Sequence, residues 1–201
     1  YRQIDINLGC PFPMIAGKHK GAGMLLYPAQ VAEVLAPIAE YPEIQFSLKM
    51  RLGWENASEC MVLVELLNTL RLSRIALHAR TGKQQYKGHP DLEAFQGFYE
   101  LCQHPLYYNG DIESLSDIRQ ILTRFPLLKG VFIGRGLLSS PLLAKEFKGN
   151  ETFLPEQRMS IYFAFHEELF SAYSQVLQGE TQLLVKMKTL WEYFLPETDR
   201  K

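Results

Sequence analysis

The sequence predicts an α/β fold in which parallel strands alternate with helices, followed by a small all-α appendage. Three observations predict it. Five short apolar runs, at residues 3–8, 45–50, 74–78, 106–108 and 130–133, read as buried strands. Helical patterns fill the intervals between them. After Asn150 the strand signal stops, and two helical stretches follow, 155–178 and 180–194, split at Gly179.

The elements justify themselves in order. The helix expected over 28–41 opens on Pro28, near an N-terminus where a missing N–H leaves no bond unmade. The next, 57–71, carries apolar residues at 61, 62, 64, 66, 67 and 70. The stretch 91–102 is amphipathic. The stretch 113–125 follows Asp111 and sets Leu115, Ile118, Ile121 and Leu122 on one face, and 142–147 is short. Strict β-α alternation implies a parallel sheet with right-handed crossovers. Five units in roughly 148 residues scale to roughly 237 for eight, near the ~250 of a (β/α)8 barrel. A doubly wound sheet is the alternative. The expected organisation is five C-terminal βα units of a TIM barrel over 1–150, then a helical domain over 151–201.

Bulk properties narrow the class. Of 201 residues, 47% are apolar, enough for a sizeable core and against global disorder. The net charge of −1 leaves nucleic-acid binding to local charge. There is no run of eighteen apolar residues, no signal peptide and no lipidation motif, so a soluble protein with no membrane partner is expected. Cys10, Cys60 and Cys102 are odd in number and widely spaced, and no CxxC metal pair exists. That predicts no disulfide framework, no metal and a reducing cytoplasm. The chain opens on Tyr1 and is in strand by Gln3, so it reads as a piece of a longer protein or one whose front part is missing.

In a parallel barrel the reactive groups gather at the C-terminal ends of the strands. All five predicted strand ends carry polar or glycine signals. The first gives Asn7, Gly9 and Cys10. The second, "KMRLGW", puts Lys49 and Arg51 two apart and so on one face. The third, "HART", does the same for His78 and Arg80. The fourth is "NGDI", Asn109 to Ile112, and the fifth is "GRG", Gly134 to Gly136, before a short helix. If these are the last five of eight strands, the last two motifs fall on the loops that commonly hold phosphate in such barrels. Glycine lets backbone N–H groups approach a phosphate, and Arg135 can neutralise it.

Lys49 and His78 can hydrogen-bond the acceptor atoms of an electron-poor ring or its side chain. A buried strand rarely keeps a lysine without a partner. Cys10 reads as a nucleophile, a general acid or a small hydrophobe, while Cys60 and Cys102 sit in helical patterns and read as core. From Leu66 to Pro90 the chain carries Arg71, Arg74, Arg80, Lys83 and Lys87 and no acid. Lys18, His19 and Lys20 add to this charge, and Lys186 and Lys188 lie near Trp191. A basic face over a catalytic mouth suits a polyanion such as RNA.

The ordered set "INLGCP", "LKMRLGW", "LHARTGKQQYKG", "YYNGDI" and "IGRG" resembles the tRNA-dihydrouridine synthases, and "LVKMKTLWEYF" resembles their C-terminal helical tRNA-binding domain. The resemblance implies an FMN-dependent enzyme that uses NADPH to reduce particular uridines of tRNA to 5,6-dihydrouridine. It implies that Cys10 protonates C5 of the uracil after reduced FMN delivers hydride to C6. Lys49 and His78 are then flavin contacts, and Asn109, Gly110, Asp111, Gly134 and Arg135 surround the FMN phosphate. Asn7, Arg51 and Arg80 fall to the target uridine, and Lys186 and Lys188 to the tRNA backbone.

The family's barrel begins with strands that supply a Pro-Met loop and a later Gln beside the flavin. This chain starts at the strand that resembles the fourth, so one wall of the flavin site is expected from outside it. The exposed strand edges of an incomplete barrel invite self-association. Two other readings stay open at this point. One is another FMN barrel oxidoreductase of the dihydroorotate dehydrogenase type. The other is a catalytically incompetent RNA-binding fragment.

Overall fold

The computed structural model describes residues 1–193. The predicted helix end at Phe194, and the last residues of the expected helical domain, lie outside the described residues. In chain order the elements are β1 (Gln3–Leu8), α1 (Pro13–Ala16), a 3-10 turn over Gly21–Leu26, α2 (Pro28–Leu35) and a 3-10 turn over Ala36–Ala39. Then come β2 (Gln45–Gly53), α3 (Glu59–Thr69), β3 (Leu72–Thr81), α4 (Leu92–Leu101), β4 (Leu106–Asn109), α5 (Leu115–Arg124) and β5 (Gly130–Phe132). Four helices follow: α6 (Arg135–Ser139), α7 (Leu143–Gly149), α8 (Pro155–Val176) and α9 (Glu180–Trp191).

The five strands form one parallel sheet in the order β1-β2-β3-β4-β5. A doubly wound sheet reverses its strand order at a switch point. Here every strand pairs with its sequence neighbour, as in a barrel, so the fold is a part of a (β/α)8 barrel with added helices.

Register sorts the side chains into two faces. One carries Leu48, Met50, Leu52, Ile75, Leu77, Ala79, Leu106 and Tyr108, all buried. Helix residues cover it: Leu63, Val64 and Leu67 of α3, and Phe95 and Phe98 of α4. Phe95 meets Tyr108 and Phe125 edge-on, each at 5.0 Å between ring centres. Each such side chain contributes about 1.5–3 kcal/mol of burial, which makes this the principal core. The opposite face carries Asp5, Asn7, Ser47, Lys49, Arg51, Arg74, His78 and Arg80, and it is the chemical face.

Several expectations change in detail. The helix predicted over 28–41 is α-helical only to Leu35 and continues as a 3-10 turn. Pro37 has no N–H for the Glu33 carbonyl, and its ring crowds that carbonyl. The basic loop after β1 holds α1 and a 3-10 turn, each too short to show a helical period. "GRG" is not wholly loop: α6 begins at Arg135.

The chain divides into two compact units. The first is Tyr1–Asp111 with Arg119–Phe132, and the second is Ile112–Ile118 with Ile133 onward. Within the second, α7 and α8 are joined by an ion pair between buried Glu146 and Arg158, beside a small cluster of Leu142, Tyr162, Phe153, Ile161 and Phe165. Among the described residues, no helix is long and apolar enough to cross a membrane, and no group of three or more His, Cys, Asp or Glu side chains could hold a metal ion.

Candidate active site

The site is built from the ends of β1 to β4 in the first unit. At the end of β1 the Asn7 Oδ1 accepts the Gly9 N–H at 2.9 Å, a local turn that bends the chain into Cys10. The Cys10 carbonyl accepts the N–H of Ala22 at 3.0 Å. Gly21 approaches so closely that a Cβ there would lie 2.7 Å from the Cys10 carbonyl oxygen and 2.8 Å from its Cβ, and its φ is +56°. Only glycine fits. The thiol itself is half-buried.

Asn7 pairs in register with Lys49, and a methyl on Gly9 would lie 3.5 Å from Asn7 Oδ1 and 3.7 Å from Lys49 Nζ. Lys49 makes no hydrogen bond or ion pair among the described residues. Burial pushes its ammonium below the usual lysine range, and nearby Arg51 pushes it further, against a smaller opposing pull from Asp5. Arg51 is 1% exposed. Its Nε donates to the Gly9 carbonyl at 3.1 Å, and its Nη1 donates to the Thr81 and Gln85 carbonyls at 2.8 Å each. Its guanidinium carbon lies 5.5 Å from the centre of the Tyr86 ring.

Arg51 pairs with His78, and His78 with Asn109. His78 is 6% exposed, and its Nε2 has no hydrogen-bond partner among the described residues. Burial first, then the positive charges of Arg51, Lys49 and Arg80, press its pKa down to about 3. The imidazole is therefore neutral at pH 7 and offers one unused nitrogen. Two residues on, Arg80 is fully buried. It holds the Asp111 carboxylate at two points and donates to the Gly88 carbonyl at 2.7 Å. Asp111 has φ +27°, an unusual backbone for a non-glycine residue, and the ion pair holds it there. Asn109 donates through Nδ2 to the Phe132 carbonyl at 2.8 Å.

The first unit thus brings together nine of the residues singled out in the sequence: Asn7, Cys10, Lys49, Arg51, His78, Arg80, Asn109, Gly110 and Asp111. Gly134, Arg135, Lys186 and Lys188 belong to the second unit. There Gly134 precedes α6, which starts with Arg135. On α9, Lys188 lines a groove of about 840 Å³ with His166, Phe170 and Trp191, and Lys186 Nζ lies 5.6 Å from the Tyr173 ring centre. The basic run read from the sequence is partly neutralised, because Lys83 pairs with Glu55 at 2.6 Å and Arg80 with Asp111. Tyr86 and Gly21 were not singled out in the sequence. Tyr86 lay within a quoted motif, but nothing in one sequence shows that its ring lies 6.3 Å from His78.

A family model for dihydrouridine synthase matches residues 1–196. The chain belongs to the dihydrouridine synthase family. Curated relatives of this synthase family include a probable tRNA-dihydrouridine synthase of Aquifex aeolicus, 36% identical over 149 residues, covering 72% of this chain and 46% of the relative. Another, from Rhizobium leguminosarum, is 32% identical over 139 residues, covering 69% and 44%. The tRNA-dihydrouridine synthase B of Vibrio vulnificus is 28% identical over 157 residues, covering 76% and 48%. The chain therefore spans about half the length of these synthases. Among solved structures, a variant of NCR from Zymomonas mobilis aligns with 16% identity and a TM-score of 0.44, over 62% of this chain and 41% of that one.

Proposed function

We propose that the protein carrying this chain reduces uridine in tRNA to 5,6-dihydrouridine, with Cys10 as the proton donor. One observation carries the reading. A half-buried thiol shares one strand-end rim with a buried imidazole nitrogen, His78 Nε2, that has no hydrogen-bond partner among the described residues, and with half-buried Lys49, whose ammonium makes no hydrogen bond or ion pair there. Buried polar groups are rarely left so unless a ligand completes them.

Those two groups fit an FMN ring. Lys49 offers a cation and His78 a neutral nitrogen to its polar atoms, and Asn109, Gly110 and Asp111 form the neighbouring strand-end turn. The resemblance adds Gly134 and Arg135 as phosphate contacts. When bound there, FMN would supply the hydride chemistry for C6 of the uracil, with NADPH as its reductant.

The chain's own residues do the rest. The Cys10 thiol gives its proton to C5, and the resulting thiolate recovers a proton from solvent. Asn7, one turn before the thiol, orients the uracil edge. The target base is taken out of its stack to reach this pocket. Lys186 and Lys188 hold tRNA phosphates. Arg51 and Arg80, expected from the resemblance at the uridine, donate to this chain's own carbonyls and carboxylate, which suits a role in shaping the loops. A cytoplasmic protein follows from the substrate and the free cysteines. The sheet ends at β1 and β5, whose outer edges suit pairing with further strands.

The test uses the protein over the full length of its relatives, incubated with FMN, NADPH and unmodified tRNA, and reads dihydrouridine by nucleoside mass spectrometry. Wild type makes product, and Cys10→Ala retains the flavin band but makes none. Full product from Cys10→Ala overturns the role of Cys10. RNA binding by wild type without flavin or product returns the non-catalytic reading.

A further inference from the structure

The hydrogen bonds of Arg51 reach three carbonyls on two separate stretches of chain. Nε holds the carbonyl of Gly9, the residue immediately before Cys10, and Nη1 holds Thr81 at the end of β3 and Gln85 in the turn beyond it. On the other side of the thiol, the Cys10 carbonyl is held by Ala22 N–H, with Gly21 packed against it. Cys10 also lies within electrostatic reach of the guanidinium. The thiol is thus fixed from both sides, and one of the two fixings is a single buried cation with a planar fork of donors. A lysine has the charge but not the fork, so it cannot bridge the same carbonyls.

We propose that Arg51 is a positioning residue for Cys10. It ties the Gly9 carbonyl to the turn after β3, and through that tie the arginine acts on the reaction by placing the thiol. The catalytic meaning of this rests on Cys10 as proton donor, but the placement does not.

The experiment is alkylation of the 201-residue chain by iodoacetamide, followed by mass measurement of the cysteine-bearing peptides. Cys102 serves as an internal reference. Arg51→Lys keeps the charge and loses the fork, and is expected to speed Cys10 alkylation about tenfold, the size that one lost hydrogen bond to a charged group corresponds to. Cys102 should stay within about twofold of wild type, because the release is local. In Arg51→Ala, added methylguanidine should return Cys10 toward its wild-type rate. A Cys10 rate in Arg51→Lys within about twofold of wild type overturns the proposal. So does a rise of Cys102 in step with Cys10, since that marks general loosening. If Arg51→Ala does not fold, Arg51→Lys decides alone. If Arg51→Lys shifts Cys10 reactivity while full-length protein with the same change reduces uridine normally, the positioning stands and the donor role of Cys10 fails.

Discussion

Arg80 and Asp111 form a two-point ion pair across the ends of β3 and β4, with Nη1 donating to Oδ1 at 2.7 Å and Nη2 to Oδ2, and with no exposed surface on the arginine side chain. Removing one partner leaves a buried charge without compensation, which costs about 3–5 kcal/mol. Asp111→Ala is therefore expected to lower the denaturant midpoint strongly. Asp111→Gly separates the two effects at this position: it relieves the positive φ and still strands Arg80, so it should remain well below wild type.

His78 makes stability depend on pH in a defined window. Its folded pKa of about 3 lies below its ordinary value of 6.5. As pH falls below about 6.5 the unfolded chain takes up a proton that the folded chain refuses. Stability contributed by this group is complete above that point and is lost progressively toward pH 3, by at most ~1.4 kcal/mol per pH unit. Urea unfolding at pH 7 and pH 5 measures the slope. His78→Gln should flatten it, and an unchanged slope contradicts the burial of a neutral imidazole here.

Lys49→Met should separate stability from function. The variant removes a cation that burial disfavours, and is expected to raise stability by about 1 kcal/mol. The same change should reduce the FMN retained after gel filtration, read from the visible flavin band.

Two glycine substitutions should move in opposite directions. Gly21→Ala meets the Cys10 backbone and a positive φ, and should cost about 1–3 kcal/mol. Gly97 lies in α4, where a Cβ would meet only Met61 Cε and Sδ at 3.7 Å, so Gly97→Ala should gain roughly 0.5–1 kcal/mol. Thermal melts of both variants check the pair.

Much of this arrangement is legible in the sequence, because strands in a buried parallel sheet announce themselves as apolar runs. The starts of β1, β2, β4 and β5 fall where those runs begin. Lys49 and Arg51, and His78 and Arg80, share a face because a strand repeats every two residues. The partners of the arginines were not legible. Gly9, Thr81, Gln85 and Gly88 serve through carbonyl oxygens, which every residue has, so no side-chain pattern marks them. The charge run 66–90 looked like an open basic face for the same reason. Nothing local to it shows that Arg80 turns inward onto Asp111 or that Lys83 reaches Glu55.

The row Arg51, His78, Asn109 and Phe132 runs across four strands and is aligned by their register, with one side-chain bond along it, from Asn109 Nδ2 to the Phe132 carbonyl. The chain between successive members is helix and loop, where insertions can lengthen a turn without moving the row. Within a strand the tolerance vanishes. One residue inserted near Ile75 turns His78 and Arg80 toward the helices and brings Leu77 and Ala79 to the chemical face. Such a frame-sensitive stretch should accept many substitutions more readily than a single insertion or deletion, while the loops that join strands to helices should accept the insertion.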